Sequence, residues 1–168
     1  MRTIHLRADI PSVDPTTAFD QISDFTRFPS LAKDVHDVET KPGSPRHSDW
    51  EVNFRRGLMR WTEQETLDPQ ALSIEFHQTD GDFEDFRGHW QLARVPEGTE
   101  VYFEVTYDFG IESLVGIMDP IAERVIKRAI FSVLEGLFGG ITIREGEEAL
   151  HDLDETAHTS NRPPTGGR

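Results

Sequence analysis

Gly88–Gly110, GHWQLARVPEGTEVYFEVTYDFG, is the stretch that decides the fold. From residue 101 to 109 the odd-numbered positions are apolar and mostly aromatic, whereas the even-numbered positions are mostly polar. Successive side chains of a strand point to opposite faces, so this alternation predicts a strand with one buried face. Pro96-Glu97-Gly98 predicts a turn that pairs this strand with the segment Phe86–Leu92. Because an isolated hairpin is only marginally stable in water, a larger sheet must continue from it.

Five further segments alternate in the same way and predict additional strands, which brings the sheet to about seven. The connections between them are short, so most neighbouring strands are expected to be antiparallel. They are Thr3–Ile10, Val35–Thr40, Ser48–Arg56, Leu58–Leu67 and Ala71–His77.

Two helices are predicted from caps and apolar spacing. Asp14-Pro15 is typical of a helix start, with an N-cap residue followed by proline at the first helical position. Asp119-Pro120 repeats this signal, and apolar residues at helical spacing then predict a long helix over Pro120–Leu150, preceded by a short separate helix at Leu114–Met118. We therefore predict an α+β domain over residues 1–150, followed by a disordered tail over 151–168 that is rich in Asp, Thr, Ser, Pro and Gly.

The composition excludes several classes of partner. Lysine and arginine number 17 and aspartate and glutamate 31, which gives a formal net charge of −14. Nucleic acids and anionic membranes are bound mainly by cationic side chains, so neither is an expected partner. The chain has no cysteine, and it shows neither an apolar signal segment nor a run long enough to insert stably into a membrane. We expect a cytoplasmic protein.

Short motifs add a resemblance to a known superfamily. They are Phe28-Pro29-Ser30-Leu31, Trp61, Gly81-Asp82-Phe83, His89-Trp90, Gly98-Thr99-Glu100, Phe103 and Asp108-Phe109. With the order of elements, they resemble the helix-grip fold of START/Bet v 1-like proteins, the SRPBCC superfamily. Within it the chain is most similar to polyketide aromatase/cyclases and to coenzyme-Q-binding proteins. The resemblance implies a curved antiparallel sheet around a long C-terminal helix, with space left for a hydrophobic small molecule.

The resemblance also implies two alternative functions. The first is a cyclase that needs no cofactor, binds a polyketide intermediate that an acyl carrier protein delivers, and promotes aldol-type cyclisation and dehydration, as in antibiotic biosynthesis. The second is a non-catalytic carrier of a quinone or another lipid. Tetracenomycin-type aromatase/cyclases have a catalytic arginine where this chain has Glu65, a tyrosine where it has Val35, and a second arginine near Phe76 or His77, so a cyclase would have to use different residues.

Two glutamates on one predicted strand are the main catalytic candidates. If Trp61 faces the cavity, Glu63 and Glu65 face it too, because alternate residues of a strand share a face. Two carboxylates roughly 7 Å apart in an apolar cavity raise each other's pKa, which makes one of them a usable general acid or base. The alternative is the opposite parity, in which both glutamates are solvated.

Other polar residues are weaker candidates. Tyr107 and His77 are candidates to protonate a carbonyl oxygen, and Arg55 could contact a carrier-tethered phosphate or pair with Glu63. The alternative for Arg55 is a solvated strand end. The seven histidines show no metal-ligand spacing, so no metal is expected.

An aromatic wall is expected to hold the ligand, with part of it serving as core under the helix. Its predicted members are Trp61, Phe76, Phe83, Phe86, Trp90, Phe103 and Phe109, together with Tyr107.

Overall fold

The computed structural model of the protein describes residues 1–55, 57–147 and 150. Within them, eight strands form one antiparallel sheet in the spatial order β2-β3-β4-β5-β6-β7-β1-β8. The strands are β1 Arg2–Pro11, β2 Val35–Lys41, β3 Arg46–Asn53, β4 Leu58–Asp68, β5 Ser73–Gly81, β6 Asp85–Val95, β7 Gly98–Asp108 and β8 Thr142–Glu145. The helices are α1 Pro15–Ser23, α2 Phe28–Leu31 and α3 Glu112–Phe138, and a single 3₁₀ turn, Phe25–Arg27, precedes α2.

The hairpin of β6 and β7 lies where the sequence predicts it. The two strands pair along their full length, with Trp90 opposite Phe103, and Pro96-Glu97 connects them. Its alternation is also confirmed, because the odd-numbered residues from 101 to 107 are buried and the even-numbered ones are only partly so. The N-terminal strand β1 pairs with the other edge of β7. The hairpin therefore lies inside the sheet and carries much of the core.

The first helix begins as its cap predicts. The Asp14 carboxylate accepts a hydrogen bond of 2.8 Å from the backbone N–H of Thr17, and Pro15 occupies the first turn. The helix buries Ala18, Phe19 and Ile22. This buried helix leads directly into the 3₁₀ turn and α2.

The long helix differs from the prediction at both ends. It begins at Glu112 and contains Pro120, so the predicted separate helix over 114–118 is wrong. It ends at Phe138, because Gly139 and Gly140 adopt φ values of 70° and 62°, in the left-handed region where an α-helix cannot continue. The predicted extension to Leu150 is therefore wrong. The predicted tail over 151–168 lies outside the described residues.

The chain after α3 returns to the sheet as an additional strand. Ile143 of β8 lies opposite Ala8 of β1. The sheet consequently has eight strands within the described residues, whereas the sequence predicted about seven.

The fold is the helix-grip fold, in which the curved sheet covers the buried face of α3. The Tyr107 hydroxyl, on β7, donates a hydrogen bond of 2.9 Å to the backbone oxygen of Asp119 and so ties the sheet to the helix. The helix residues that bury fully against the sheet are Ala122, Val125, Ile126, Ala129, Ile130, Val133 and Leu134.

Candidate functional site

A cavity of about 60 Å³ lies between the sheet, α3 and the segment from the 3₁₀ turn to α2. Every residue in its wall but Glu63 has an apolar or aromatic side chain. The wall is formed by Phe25, Phe28, Val35, Trp50, Val52, Phe54, Trp61, Glu63, Phe76, Trp90, Phe103, Ile126, Ala129 and Ile130.

Glu63 is the titratable group of this wall. It lies on β4 with 2% of its surface exposed, and its Oε1 accepts a hydrogen bond of 2.9 Å from the indole N–H of Trp61. Burial raises the pKa of Glu63 well above its ordinary range, and the negative charge of Glu65 raises it further. Glu63 therefore keeps its proton at pH values where an exposed glutamate has lost it.

Glu65 lies on the same face of β4, is fully buried and is engaged by two donors. Arg46 Nε donates to its Oε1 at 2.6 Å, and the Ser48 hydroxyl donates to the same oxygen at 2.8 Å. Arg46 itself lies directly opposite Glu65 on β3. Its Nη1 donates to the backbone oxygen of Ser23 at 2.6 Å, and its guanidinium lies 4.8 Å from the centre of the Phe25 ring. The charge of Glu65 is thus neutralised within the protein.

The prediction that both glutamates point inward is confirmed by their burial, and the solvated alternative is wrong. Of the two, Glu63 reaches the cavity wall, whereas Glu65 pairs with Arg46. The sequence analysis missed Arg46 because it began the third strand at Ser48. The signal was present, since counting along the hairpin from Trp50 opposite Trp61 places Arg46 opposite Glu65.

The predicted aromatic wall divides into two parts. Trp61, Phe76, Trp90 and Phe103 line the cavity. Three of the other four pack together outside the cavity lining, with ring centres 4.7 Å apart for the closest pair, and the fourth is Tyr107. The three are Phe83, Phe86 and Phe109, of which Phe83 and Phe86 form that pair.

Trp50 is a wall residue that the sequence analysis missed. Its ring stacks on that of Trp61, with 5.7 Å between centres and 3° between planes. Its indole N–H is buried and has no hydrogen-bond partner among the described residues. A buried donor of this kind is usually satisfied by protein or water, so its lack of a partner is unusual.

Three predicted site residues are not brought to the cavity. His77 is exposed, because it follows the inward-facing Phe76 and points to the outer face of β5. Tyr107 is buried, but its hydroxyl is engaged by Asp119 away from the wall, and burial raises its pKa far above the ordinary range. Arg55 is exposed in the turn between β3 and β4, and the predicted pair of Arg55 with Glu63 is replaced by the Trp61 contact.

Two further observations concern the described residues as a whole. No three His, Asp or Glu side chains among them converge as a metal site would require. No helix in the same part of the chain is long and apolar enough to cross a membrane.

A curved antiparallel sheet closed over a long helix, with an apolar cavity between them, defines the helix-grip class of domain. The chain belongs to the family described as polyketide cyclase / dehydrase and lipid transport, whose sequence profile matches residues 11–133. No curated protein matches the chain.

Solved structures agree with this class at low sequence identity. The protein TTHA0849 from Thermus thermophilus is 22% identical, with a TM-score of 0.71 over 90% of this chain and 99% of that one. The Zhui aromatase/cyclase from Streptomyces sp. R1128 is 13% identical, with a TM-score of 0.64 over 99% and 100% of the two chains. A START superfamily protein from Mycobacterium smegmatis is 13% identical, with a TM-score of 0.68 over 81% and 96%. These likenesses establish the fold.

Proposed function

We propose that the protein is a cyclase/dehydratase that acts on a polyketide-type β-hydroxy ketone and uses Glu63 as its acid–base group. The observation that carries this proposal is a single buried carboxyl group, with a raised pKa, in a wall that is otherwise apolar. Buried carboxyl groups with shifted pKa values in a cavity are characteristic of proton-transfer sites. A pure carrier of an apolar molecule gains nothing from such a group, because burying it is costly.

The dehydration step can be written with Glu63 alone. The neutral carboxyl protonates the β-hydroxyl group of the substrate, and the C–O bond breaks to release water. The resulting carboxylate removes the proton from the adjacent α-carbon, and those electrons form the carbon–carbon double bond. Glu63 ends protonated, as it began, so the step needs no other reactant. General acid–base catalysis of this kind contributes about 10²–10⁴-fold to a rate.

The wall residues orient the substrate. A flexible ketide folded against the rings of Trp61 and Phe103 loses its conformational freedom before the reaction, which is an effect worth several kcal/mol. The free indole N–H of Trp50 is a suitable donor to a substrate carbonyl oxygen. These features favour a ligand that combines an apolar body with oxygen acceptors.

The size of the cavity sets a condition on this function. Pockets that enclose drug-sized ligands are about 300–1,000 Å³, whereas this cavity is about 60 Å³. A multi-ring substrate is therefore bound only if the aromatic wall opens, and α2 with the 3₁₀ turn is the shortest element of that wall.

A second candidate is a carrier of a quinone or another lipid. The observation in its favour is that every wall residue except Glu63 is apolar, and the family description also includes lipid transport. In this function Glu63 would contact a ligand oxygen without transferring a proton.

The test compares Glu63→Gln with the wild type on a synthetic β-hydroxy ketide thioester, with and without an acyl carrier protein. The glutamine keeps the shape of the side chain and still accepts the Trp61 hydrogen bond. We expect dehydration to fall by about 10²-fold or more while substrate affinity changes little. The matched control is Glu51→Gln, on the exposed face of β3. Unchanged turnover in Glu63→Gln would reject Glu63 as the acid–base group, whereas no turnover by either protein together with tight binding of a quinone would support the carrier.

A further inference from the structure

We infer that Arg46 and Glu65 are positioning residues that hold the transferable proton on Glu63, so that the three side chains act as one charge-neutral unit. The inference rests on the proposed role of Glu63 as a proton carrier. It assigns a role to two side chains that do not line the cavity and act only through Glu63.

The hydrogen-bond donors decide which carboxyl group carries the charge. Oε1 of Glu65 receives a guanidinium N–H at 2.6 Å and the hydroxyl of Ser48 at 2.8 Å. Glu63 receives one neutral donor, the indole of Trp61, at 2.9 Å. Donors stabilise the ionised form, and a cationic donor does so most strongly. The negative charge therefore resides on Glu65 and the proton on Glu63.

Unpartnered atoms support the same arrangement. Oε2 of Glu65 is buried and has no hydrogen-bond partner among the described residues. Protonated Glu63 is a possible donor on the same face of β4, and its interaction with Glu65 contributes to its raised pKa. A second carboxylate in its place would leave that oxygen unsatisfied and add a repulsion, both of which are costly in a buried site.

The described residues that face this unit from neighbouring elements add no competing charge. On the β5 side, Gln78 lies opposite Glu63 and Phe76 lies opposite Glu65. Helix α1 contributes a backbone oxygen, that of Ser23, to Arg46. The cation that faces the two carboxyl groups is thus Arg46. The wall residues of α3 are Ile126, Ala129 and Ile130.

The proton on Glu63 depends on the negative charge of Glu65. If Glu65 loses its charge, the repulsion that kept the proton on Glu63 disappears. Arg46 is then left without a counter-ion, and its attraction favours an ionised Glu63. Removing one carboxylate is therefore expected to release the proton of the other.

The experiment follows the carbonyl stretch of a buried, un-ionised carboxyl group by infrared spectroscopy during a pH titration of the full chain. Glu63→Gln identifies the band by removing it. In Glu65→Gln we expect the midpoint of the Glu63 band to move to lower pH, with proton affinity reduced by about tenfold or more. In Arg46→Met the un-ionised signal should grow, because Glu65 has lost its counter-ion. Glu51→Gln, whose exposed pair with Arg60 is 2.9 Å long, should leave the band unchanged.

An unchanged midpoint in Glu65→Gln would overturn the inference, because burial alone would then hold the proton. If Arg46→Met does not fold, Glu65→Gln decides the question by itself. The titration needs no substrate. A shifted midpoint in Glu65→Gln with unchanged dehydration in Glu63→Gln would retain the proton-holding unit and reject the proposed catalytic function.

Discussion

Glu63 shows how the position of one residue changes the response of the whole chain to pH. The sequence showed that Trp61, Glu63 and Glu65 share one face of β4, but it left open whether that face is buried. The sequence also predicted a raised pKa for such a pair, but not which glutamate carries the proton, because Arg46, which β3 brings across the ladder, pairs with Glu65. Register between two strands is set by the turn that joins them, and the sequence analysis placed one strand end two residues too late.

We predict that Glu63 makes the protein lose stability as pH rises from about 4.5, its ordinary pKa. Above that value the unfolded chain releases this proton while the folded chain keeps it, so the folded state binds more protons and unfolding becomes progressively easier. The loss continues until the raised pKa of the folded state is reached. Urea denaturation at a series of pH values should show Glu63→Gln gaining stability relative to the wild type over this range. Parallel pH curves would contradict the prediction.

The buried ion pair gives a second prediction at this scale. Arg46→Met should reduce the free energy of unfolding by about 3–5 kcal/mol, because Glu65 must then either stay charged without a partner or take up a proton. Adding Glu65→Leu to that variant should recover much of the loss, since no buried charge then remains. Arg60→Met, which breaks an exposed pair with Glu51, should cost less than about 1 kcal/mol. Similar losses in Arg46→Met and Arg60→Met would show that the Arg46 pair is solvated.

Among the elements, the strands were predicted well and the end of the long helix was not. Alternation is a local signal, and it located β1 and β7 to within a residue or two. Apolar spacing carried the predicted helix through Gly139 and Gly140 to Leu150, whereas these glycines end it. The strand that follows them, β8, has only four residues, and its pairing with β1 is a tertiary contact that no local pattern encodes.

A pair of glycine substitutions tests the packing of these elements. A methyl group at Gly88 would lie 2.1 Å from the backbone oxygen of Glu104 and 2.7 Å from Cζ of Phe76. We expect Gly88→Ala to reduce stability by about 2 kcal/mol or more, because β6 must move away from β7. The control is Gly116→Ala, where open space surrounds a position inside α3. It should raise stability by about 0.5–1 kcal/mol. Equal thermal midpoints for the two variants would refute this account.

For the molecule as a whole, the small cavity is the main determinant of what the protein can bind. The sequence predicted an aromatic wall, and several of its members were correct, but the cavity volume depends on how rings from many separate elements interlock. Trp90 is central to this packing, with its ring centre 4.8 Å from that of Phe103 and 6.4 Å from that of Phe28. Side chains this far apart in sequence cannot be fitted together from periodicity.

We expect Trp90→Ala to reduce the free energy of unfolding by about 3–5 kcal/mol, because the ring is 2% exposed and its removal leaves an apolar void. A void of that kind binds small apolar molecules, so indole should raise the thermal midpoint of Trp90→Ala and leave that of the wild type unchanged. A loss of less than about 1 kcal/mol, or equal stabilisation of both proteins by indole, would show that the wall already has free space around Trp90.

The place of β1 in the sheet has a consequence for synthesis. Strand β1 is synthesised before β7 and β8, with which it pairs, so its ladder from Arg2 to Tyr107 cannot close until β7 has left the ribosome. Contacts that are distant in sequence form slowly, because the intervening loop must first be ordered. Until then, a ten-residue strand with Ile4, Leu6 and Ile10 on one face has both edges open, which is the kind of surface that promotes association between nascent chains. Translation pauses before β7 would therefore be more hazardous to this protein than pauses after it.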